Sequence, residues 1–288
     1  MESFYIALAS TSLFVTWFSS AQIAALSPAC IDPRYAMVAM RNAATLSEAK
    51  LAPFGRPERG WQIYEPQVSE TIGTSCAPDT NGFAATLAAW QGHNRLPPTG
   101  AMDTATLGTM KRAWQHARPF IAGFEHGACP KAATDESLGD IPPHEGWLGK
   151  TGKLDAQALV DLRRMVAAAR ADDPRIAADP QILTVVSAFR SPAYDAAKCA
   201  SGANCNGIAK ARCSAHRTGT AVDLNVGALP GYSPVASADA NRLYQSKTPA
   251  YQWLVKNAAR FGFVNYVFEP WHWEWVGQPA HQTPMIAK

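Results

Sequence analysis

Apolar residues recur at helical spacing in two stretches of the N-terminal half of the chain. The first stretch, "FAATLAAWQ", carries an apolar stripe at i, i+4 and i+7, formed by Phe83, Leu87 and Trp90. The turn "LPPTG" follows, and Asp103 or Thr104 can cap the next helix. The apolar stripe of that next helix consists of Leu107, Met110 and Trp114. The two stripes predict a small helical module.

The C-terminal half mixes helical and strand patterns. "LDAQALVDLRRMVAAAR" and "PAYQWLVKNAARFGF" are predicted helices, and the second should end near Gly262. "QILTVVSAF" is an apolar and β-branched run typical of a buried strand, and "VNYVF" and "WHWEWV" predict further strands. These segments predict an α+β domain with a mostly antiparallel sheet.

Two of the predicted strands place polar side chains on one face. "TAVDLNV" alternates, so that Asp223 lies on the polar face and its neighbours in the chain lie on the apolar one. In "PWHWEWV" the tryptophans share one face, and His272 and Glu274 share the other. Glu269 must therefore reach the His272 side from the bend before Pro270.

These side chains predict a metal site. Gly219 allows a tight bend that can fold His216 back over the face of Asp223, and histidine and carboxylate are common metal ligands. A turn with an incidental histidine and a solvated aspartate is the alternative for "SAHRTGTAVDL". A metal held by His272, with Glu269 beside it, would account for an acid among tryptophans, where an unpartnered charge costs several kcal/mol.

Length, composition and charge limit the classes of function. The 288 residues are 47% hydrophobic and 17% charged, as in ordinary globular proteins, and the net charge is +3. This small charge, without a dense Lys/Arg run, argues against a nucleic-acid partner.

We divide the chain into an N-terminal segment of unassigned structure (22–59), the helical module (60–120), a linker rich in proline and glycine (121–149) and the C-terminal domain (150–280).

The N-terminus indicates export. Residues 3–31 lack charged side chains, and small residues before position 22 resemble a signal-peptidase site, so residues 1–21 are a predicted signal peptide. An uncleaved membrane anchor is the alternative, and only then would the membrane be a partner.

Six cysteines would remain after cleavage, which favours disulfides over a cysteine zinc site. Cys76 and Cys129 flank the helical module and could join its ends, and a bridge is expected within Cys199, Cys205 and Cys213.

The motif S-x-H-x-x-G-x-A-x-D at residues 214–223, followed by E-x-x-H at residues 269–272, resembles the VanY-type D-alanyl-D-alanine carboxypeptidases. "SAFRS" and "YQWLVKNAARFGF" extend the resemblance over residues 150–278. It implies the fold shared by DD-peptidases and the Hedgehog signalling domain, an antiparallel sheet with flanking helices. It also implies one Zn²⁺ per chain.

The resemblance assigns roles to individual residues. The zinc ligands would be His216, Asp223 and His272. Glu269 would be the catalytic base, Arg190 would stabilise the reacting carbonyl, and Ser214 would lie near the substrate. Many relatives carry a basic residue where this chain has Glu274, at a position tied to recognition of the substrate's terminal carboxylate.

The helical module resembles the three-helix peptidoglycan-binding domain of cell-wall hydrolases over residues 60–120, through "LPPTGAMDTATL" and the helices around it. Together the two resemblances imply an exported enzyme, periplasmic or associated with the cell wall, that removes the terminal D-Ala from peptidoglycan stem peptides. An endopeptidase that cuts cross-links or the L-Ala–D-Glu bond is one alternative. A zinc-bearing cell-wall binding protein without catalysis is the other.

Overall fold

The fold is described from a computed structural model, which covers residues 30–121, 129–200 and 214–277. The predicted signal peptide, Cys205 and Cys213 lie outside these residues, as does the side chain of Cys199. Within the described ranges, no helix combines the length and the apolar character needed to cross a membrane.

The N-terminal part is mainly helical. Its helices are α1 (Ala36–Glu48), α2 (Glu65–Ile72), α3 (Asn81–His93) and α4 (Thr104–His116). The short strands β1 (Lys50–Leu51) and β2 (Glu58–Arg59) pair antiparallel between α1 and α2. Thr80 and Asp103 cap α3 and α4, since their side chains accept hydrogen bonds from the backbone N–H groups of Phe83 and Thr106. Residues 30–59, the described part of the segment of unassigned structure, thus contribute a helix and a hairpin to this part.

The C-terminal part has the α+β composition that the sequence predicts. Its strands are β3 (Leu138–Ile141), β4 (Gly152–Asp155), β5 (Val185–Ser187), β6 (Ala221–Leu224), β7 (Phe263–Asn265) and β8 (His272–Trp275). Its helices are α5 (Ala156–Asp172), α6 (Pro174–Ala177), α7 (Pro192–Ala200), α8 (Asp239–Ser246) and α9 (Pro249–Asn257). A 3₁₀ turn over Ala258–Phe261 continues α9 and ends at Gly262, which has a left-handed backbone.

The central sheet has the strand order β5-β6-β8-β7, and each neighbouring pair is antiparallel. Helices α5 and α9 cover its apolar face, where Met165 and Leu254 pack with Val222 and Trp273. Asp223 of β6 lies opposite His272 of β8 in the register. The polar residues of the two central strands therefore meet on the face that the helices leave open.

Two predicted strands are shorter in the structure, for local reasons. "QILTVVSAF" is extended only from Val185, because Asp179 caps a turn at Gln181 and Leu183 has a left-handed backbone (φ 64°). "VNYVF" ends at Asn265. The side-chain amide of Asn265 there donates to the carbonyl of His272 at 2.8 Å, which closes a turn instead of continuing the strand.

The two parts of the chain share an apolar core. Tyr266 and Phe268, in the turn after β7, both pack against Phe54 of the N-terminal part, with ring centroids 5.8 and 5.5 Å apart. Trp61, Tyr64, Phe83 and other apolar residues of the helical part belong to the same cluster. The helical module is therefore packed onto the C-terminal part.

Two observations bear on the predicted organisation of the chain. Cys30, and not Cys129, pairs with Cys76, so the bridge proposed across the ends of the module is wrong, although Cys129 is also disulfide-bonded. Strand β3 lies within residues 121–149 and pairs along its length with β4. Part of the stretch predicted as a linker thus packs as regular structure, and the domain boundaries themselves stay predictions.

Candidate active site

Three side chains converge at the centre of the open sheet face. His216 comes from a 3₁₀ turn just before β6, Asp223 from β6 and His272 from β8. One donor atom from each lies within 4.8 Å of the other two, and all three residues are buried. Among the described residues, this is the group of His, Cys, Asp or Glu side chains that could hold a metal ion.

The chain before β6 is shaped to place His216. The Ser214 hydroxyl accepts a hydrogen bond from the His216 backbone N–H at 3.2 Å and so caps the 3₁₀ turn. Gly219 ends the turn with a left-handed backbone (φ 74°), and an added Cβ would lie 2.7 Å from a Leu138 methyl carbon. Both the backbone conformation and the space therefore call for glycine at the bend that the sequence predicts.

The two imidazoles direct different nitrogens toward Asp223. His216 Nε2 lies 3.3 Å and His272 Nδ1 lies 2.9 Å from the same Asp223 oxygen. On their far sides, His216 Nδ1 lies 2.7 Å from the Ala188 carbonyl, and His272 Nε2 lies 3.2 Å from a Glu274 carboxylate oxygen. Histidines that bind metals usually have such an acceptor on the second nitrogen, which orients the ring. The donor set and its supports therefore fit a metal ion.

The surroundings of the site shift the pKa values of its two histidines in opposite directions. Burial lowers the pKa of His216, and the attraction of Asp223 opposes this only in part. Burial also disfavours a charged His272, but the hydrogen bonds to Asp223 and Glu274 outweigh it and raise the pKa of His272 to about 9. For Asp223, the two imidazoles outweigh burial and hold the pKa below its usual range. Asp223 thus stays ionised, as a carboxylate must be to bind a metal ion.

Glu269 lies in the turn between β7 and β8, as the sequence predicts from the position of Pro270. Its backbone N–H donates to the Tyr266 carbonyl at 2.7 Å, and its own carbonyl accepts from the His272 N–H at 2.9 Å. Burial raises the pKa of the Glu269 carboxyl, while the charge of His272 lowers it and that of Asp223 raises it. A raised pKa suits a carboxylate that must take up and release a proton near neutral pH.

Arg190 and Ser214 lie beside His216. The Arg190 backbone N–H donates to the His216 carbonyl at 3.2 Å, and its Nη2 donates to the Ser214 hydroxyl at 3.2 Å. Arg190 Nε is buried and has no hydrogen-bond partner among the described residues. The charge of Arg190 acts on Glu269 as well, so the guanidinium lies within electrostatic reach of the turn that carries it. The hydroxyl of Ser214 is thus engaged in holding both His216 and Arg190.

Glu274 and Arg118 complete the surroundings of His272. Arg118, two residues after α4, donates from Nε and Nη2 to one Glu274 oxygen at 2.8 and 2.5 Å. Burial opposes ionisation of Glu274, but Arg118 and His272 outweigh it and hold the pKa of Glu274 at about 2. Glu274 therefore stays ionised and is a poor proton acceptor. Sequence reasoning placed Glu274 on this face but missed Arg118, since no motif or periodicity links positions so far apart.

A comparison with known protein families finds a match in the C-terminal part. The model of the VanY family, described as D-alanyl-D-alanine carboxypeptidase, matches residues 151–278, which contain every residue of the site except Arg118. No curated protein matches the chain. The matched residues carry the α+β sheet and the His/Asp/His group, in a family of peptidases that is generally metal-dependent and acts on the cell wall. The C-terminal domain of this chain, residues 151–278, belongs to the VanY family of D-alanyl-D-alanine carboxypeptidases.

Proposed function

We propose that this protein is a zinc-dependent peptidase that removes the terminal D-Ala from peptidoglycan stem peptides ending in D-Ala–D-Ala. The observation that carries the proposal is the convergence of His216, Asp223 and His272 within 4.8 Å, inside a domain of the VanY family. Three protein ligands are the number found in catalytic zinc sites, which keep a fourth position for water.

The positions of the side chains support the roles that the resemblance implies. Zinc, when bound by the three ligands, would lower the pKa of a water molecule toward about 7 and polarise the scissile carbonyl. Glu269, partly accessible in the turn before β8, takes the proton of the attacking water and passes it to the leaving amine. Arg190 donates to the oxygen of the scissile carbonyl as negative charge develops there. Ser214 acts through its hydrogen bond to Arg190.

We also propose that the protein is exported and that residues 60–120 bind the cell wall. The disulfide between Cys30 and Cys76 supports export, because disulfides persist in oxidising compartments. A module that binds the polymer would raise the effective concentration of its substrate at the site. Full-length Glu269→Gln protein should pellet with purified sacculi. If it remains in the supernatant, the protein does not bind the cell wall and the proposed targeting role is wrong.

Digestion of purified peptidoglycan, with mass analysis of the released fragments, tests the proposed reaction. Free D-Ala is the expected product, and removal of zinc with a chelator should abolish its release. Separated stem peptides would show an endopeptidase instead. If zinc-loaded protein releases no fragment, the protein is instead a zinc-bearing cell-wall binding protein without catalysis.

A ligand variant tests the zinc assignment. His272→Ala should lose most of its bound zinc, because two remaining ligands hold it weakly. Full zinc content in this variant would overturn the ligand assignment.

A further inference from the structure

One wall of the candidate site comes from the N-terminal part of the chain. Arg118 lies just beyond α4, outside the residues that match the VanY family, yet its guanidinium reaches Glu274 on β8. The two residues are 156 positions apart, and their side chains are 7% and 3% exposed. Removing one partner of an ion pair this far from water leaves the other charge buried and unpaired, which is far more costly than at the surface.

The Arg118 guanidinium is held from several sides. Nε and Nη2 both donate to Glu274 Oε1, and Nη1 donates to the Gln115 side chain at 2.7 Å. The guanidinium carbon also lies 4.0 Å from the centroid of the Tyr266 ring, a cation–π contact. Helix α4, which carries Gln115, and the turn after β7 therefore fix its position together.

The Glu274 oxygen that accepts from Arg118 is the one that faces His272. Oε1 lies 3.2 Å from His272 Nε2, and Nδ1 on the other side of the same ring lies 2.9 Å from Asp223. A continuous line of contacts thus runs from Arg118 through Glu274 and His272 to Asp223. Rotation of the Glu274 carboxylate would break two hydrogen bonds from Arg118, so the acceptor for His272 Nε2 is held in place.

We infer that Arg118 is a positioning residue for the metal centre, which it orients through Glu274 and the imidazole of His272. The inference rests on the proposed function, since it takes the His/Asp/His group as a zinc site. It makes the N-terminal part a component of the site, in addition to any role in binding the cell wall. A purely structural Arg118 would fasten the two parts together and leave the metal affinity of the folded protein unchanged.

The test measures Zn²⁺ affinity of the full-length protein by competition with a chelator, with the circular dichroism spectrum as a check on folding. Arg118→Met should weaken zinc binding by about 10–100-fold, the usual effect of losing support for a ligand. It should also alter the visible absorption of the Co²⁺-substituted protein. Arg112→Met is the matched control, since Arg112 is exposed on α4 and contacts Thr109. This control should bind zinc like the wild type.

A double-mutant cycle identifies the route of the effect. Arg118→Met and Glu274→Gln should each weaken zinc binding, and the double variant should be little weaker than either, because both act through one contact. A folded Arg118→Met protein with wild-type zinc affinity and an unchanged Co²⁺ spectrum would overturn the inference. If Arg118→Met does not fold, Arg118→Lys decides, since an ammonium group cannot reproduce the two guanidinium hydrogen bonds that converge on one Glu274 oxygen. Unchanged affinity in this variant would equally overturn it. Wild-type protein that binds no zinc would instead refute the proposed function.

Discussion

Arg242 Nη1 donates to Glu58 Oε1 at 3.0 Å, between two side chains that are 0% and 2% exposed and 184 positions apart in the sequence. The same guanidinium donates to the Tyr64 hydroxyl at 2.7 Å and to the Phe268 carbonyl at 2.8 Å. Tyr64 in turn donates to the second oxygen of Glu58 at 2.7 Å. This buried cluster of Glu58, Tyr64 and Arg242 joins the N-terminal part to the C-terminal part, with its charges paired.

Arg242→Met should strongly destabilise the protein. It leaves the Glu58 carboxylate buried without its cation, a change that typically lowers the free energy of unfolding by about 3–5 kcal/mol. Arg56→Met is the control, because Arg56 pairs with Asp239 at 3.0 Å between side chains that are about half exposed. Such a surface pair is worth less than about 1 kcal/mol. Urea unfolding measures both, and equal effects of the two substitutions would contradict the importance of the buried pair.

Tyr64 should make the protein sensitive to alkaline pH. Burial raises the pKa of Tyr64 well above its ordinary value of 10.0. In the unfolded chain the hydroxyl ionises near pH 10, whereas in the folded protein it does not. The contribution of Tyr64 to stability is therefore complete below pH 10 and is lost as the pH rises further, by about 1.4 kcal/mol per pH unit.

Urea unfolding at a series of pH values from 8 to 11 would measure this slope. Tyr64→Phe should lower stability at neutral pH, since Arg242 and Glu58 each lose a partner. It should also make the alkaline slope shallower by about 1.4 kcal/mol per pH unit, and the remaining slope comes from Tyr251 and Tyr266, whose pKa values burial also raises. The exposed Tyr232→Phe is the matched control and should change neither quantity. An alkaline slope that is unchanged in Tyr64→Phe would show that other groups cause it.

Glu269→Gln should leave folding and zinc content near normal and lower kcat by roughly 10²–10⁴-fold. The amide keeps the shape of the side chain but cannot accept the proton of the attacking water. The measurement is kcat on a peptide ending in D-Ala–D-Ala, with metal analysis of the same sample. The exposed Glu136→Gln serves as the control. Loss of zinc from Glu269→Gln would show that Glu269 is a metal ligand. Retained activity would show that another residue is the catalytic base.

Arg190→Met should lower kcat by roughly 10²–10³-fold with zinc content unchanged, because a donor to the developing oxyanion is lost. The effect should fall mainly on kcat and less on KM, since the hydrogen bond strengthens as charge builds up on the oxygen. Ser214→Ala should have a smaller effect of the same kind, because it removes the 3.2 Å contact that holds Arg190 Nη2 but leaves the guanidinium itself in the site. It also removes the cap on the turn that carries His216, so zinc content is measured in this variant as well. Loss of zinc from Arg190→Met would instead indicate that Arg190 maintains the position of His216.

Much of the local arrangement of the site can be predicted from the sequence alone. Period-two alternation in "TAVDLNV" and "WHWEWV" placed Asp223, His272 and Glu274 on one face, and the structure has them in contact there. The proline before β8 placed Glu269 in a bend, and Gly219 marked the turn that carries His216. Each of these features follows from backbone geometry within about ten residues, which a single sequence records directly.

The distant residues that support this site can be identified only from the folded protein. The partner of Glu274 is Arg118, and the partner of Arg242 is Glu58, at separations of 156 and 184 residues. The Cys30–Cys76 bridge and the packing of Phe54 against Phe268 are long-range in the same way. No local period or turn signal reports which distant segment will cover a surface, because that choice depends on the packing of whole elements against each other. The alternation in β8 therefore predicted a carboxylate next to His272, whereas the fold supplied the arginine that keeps it charged.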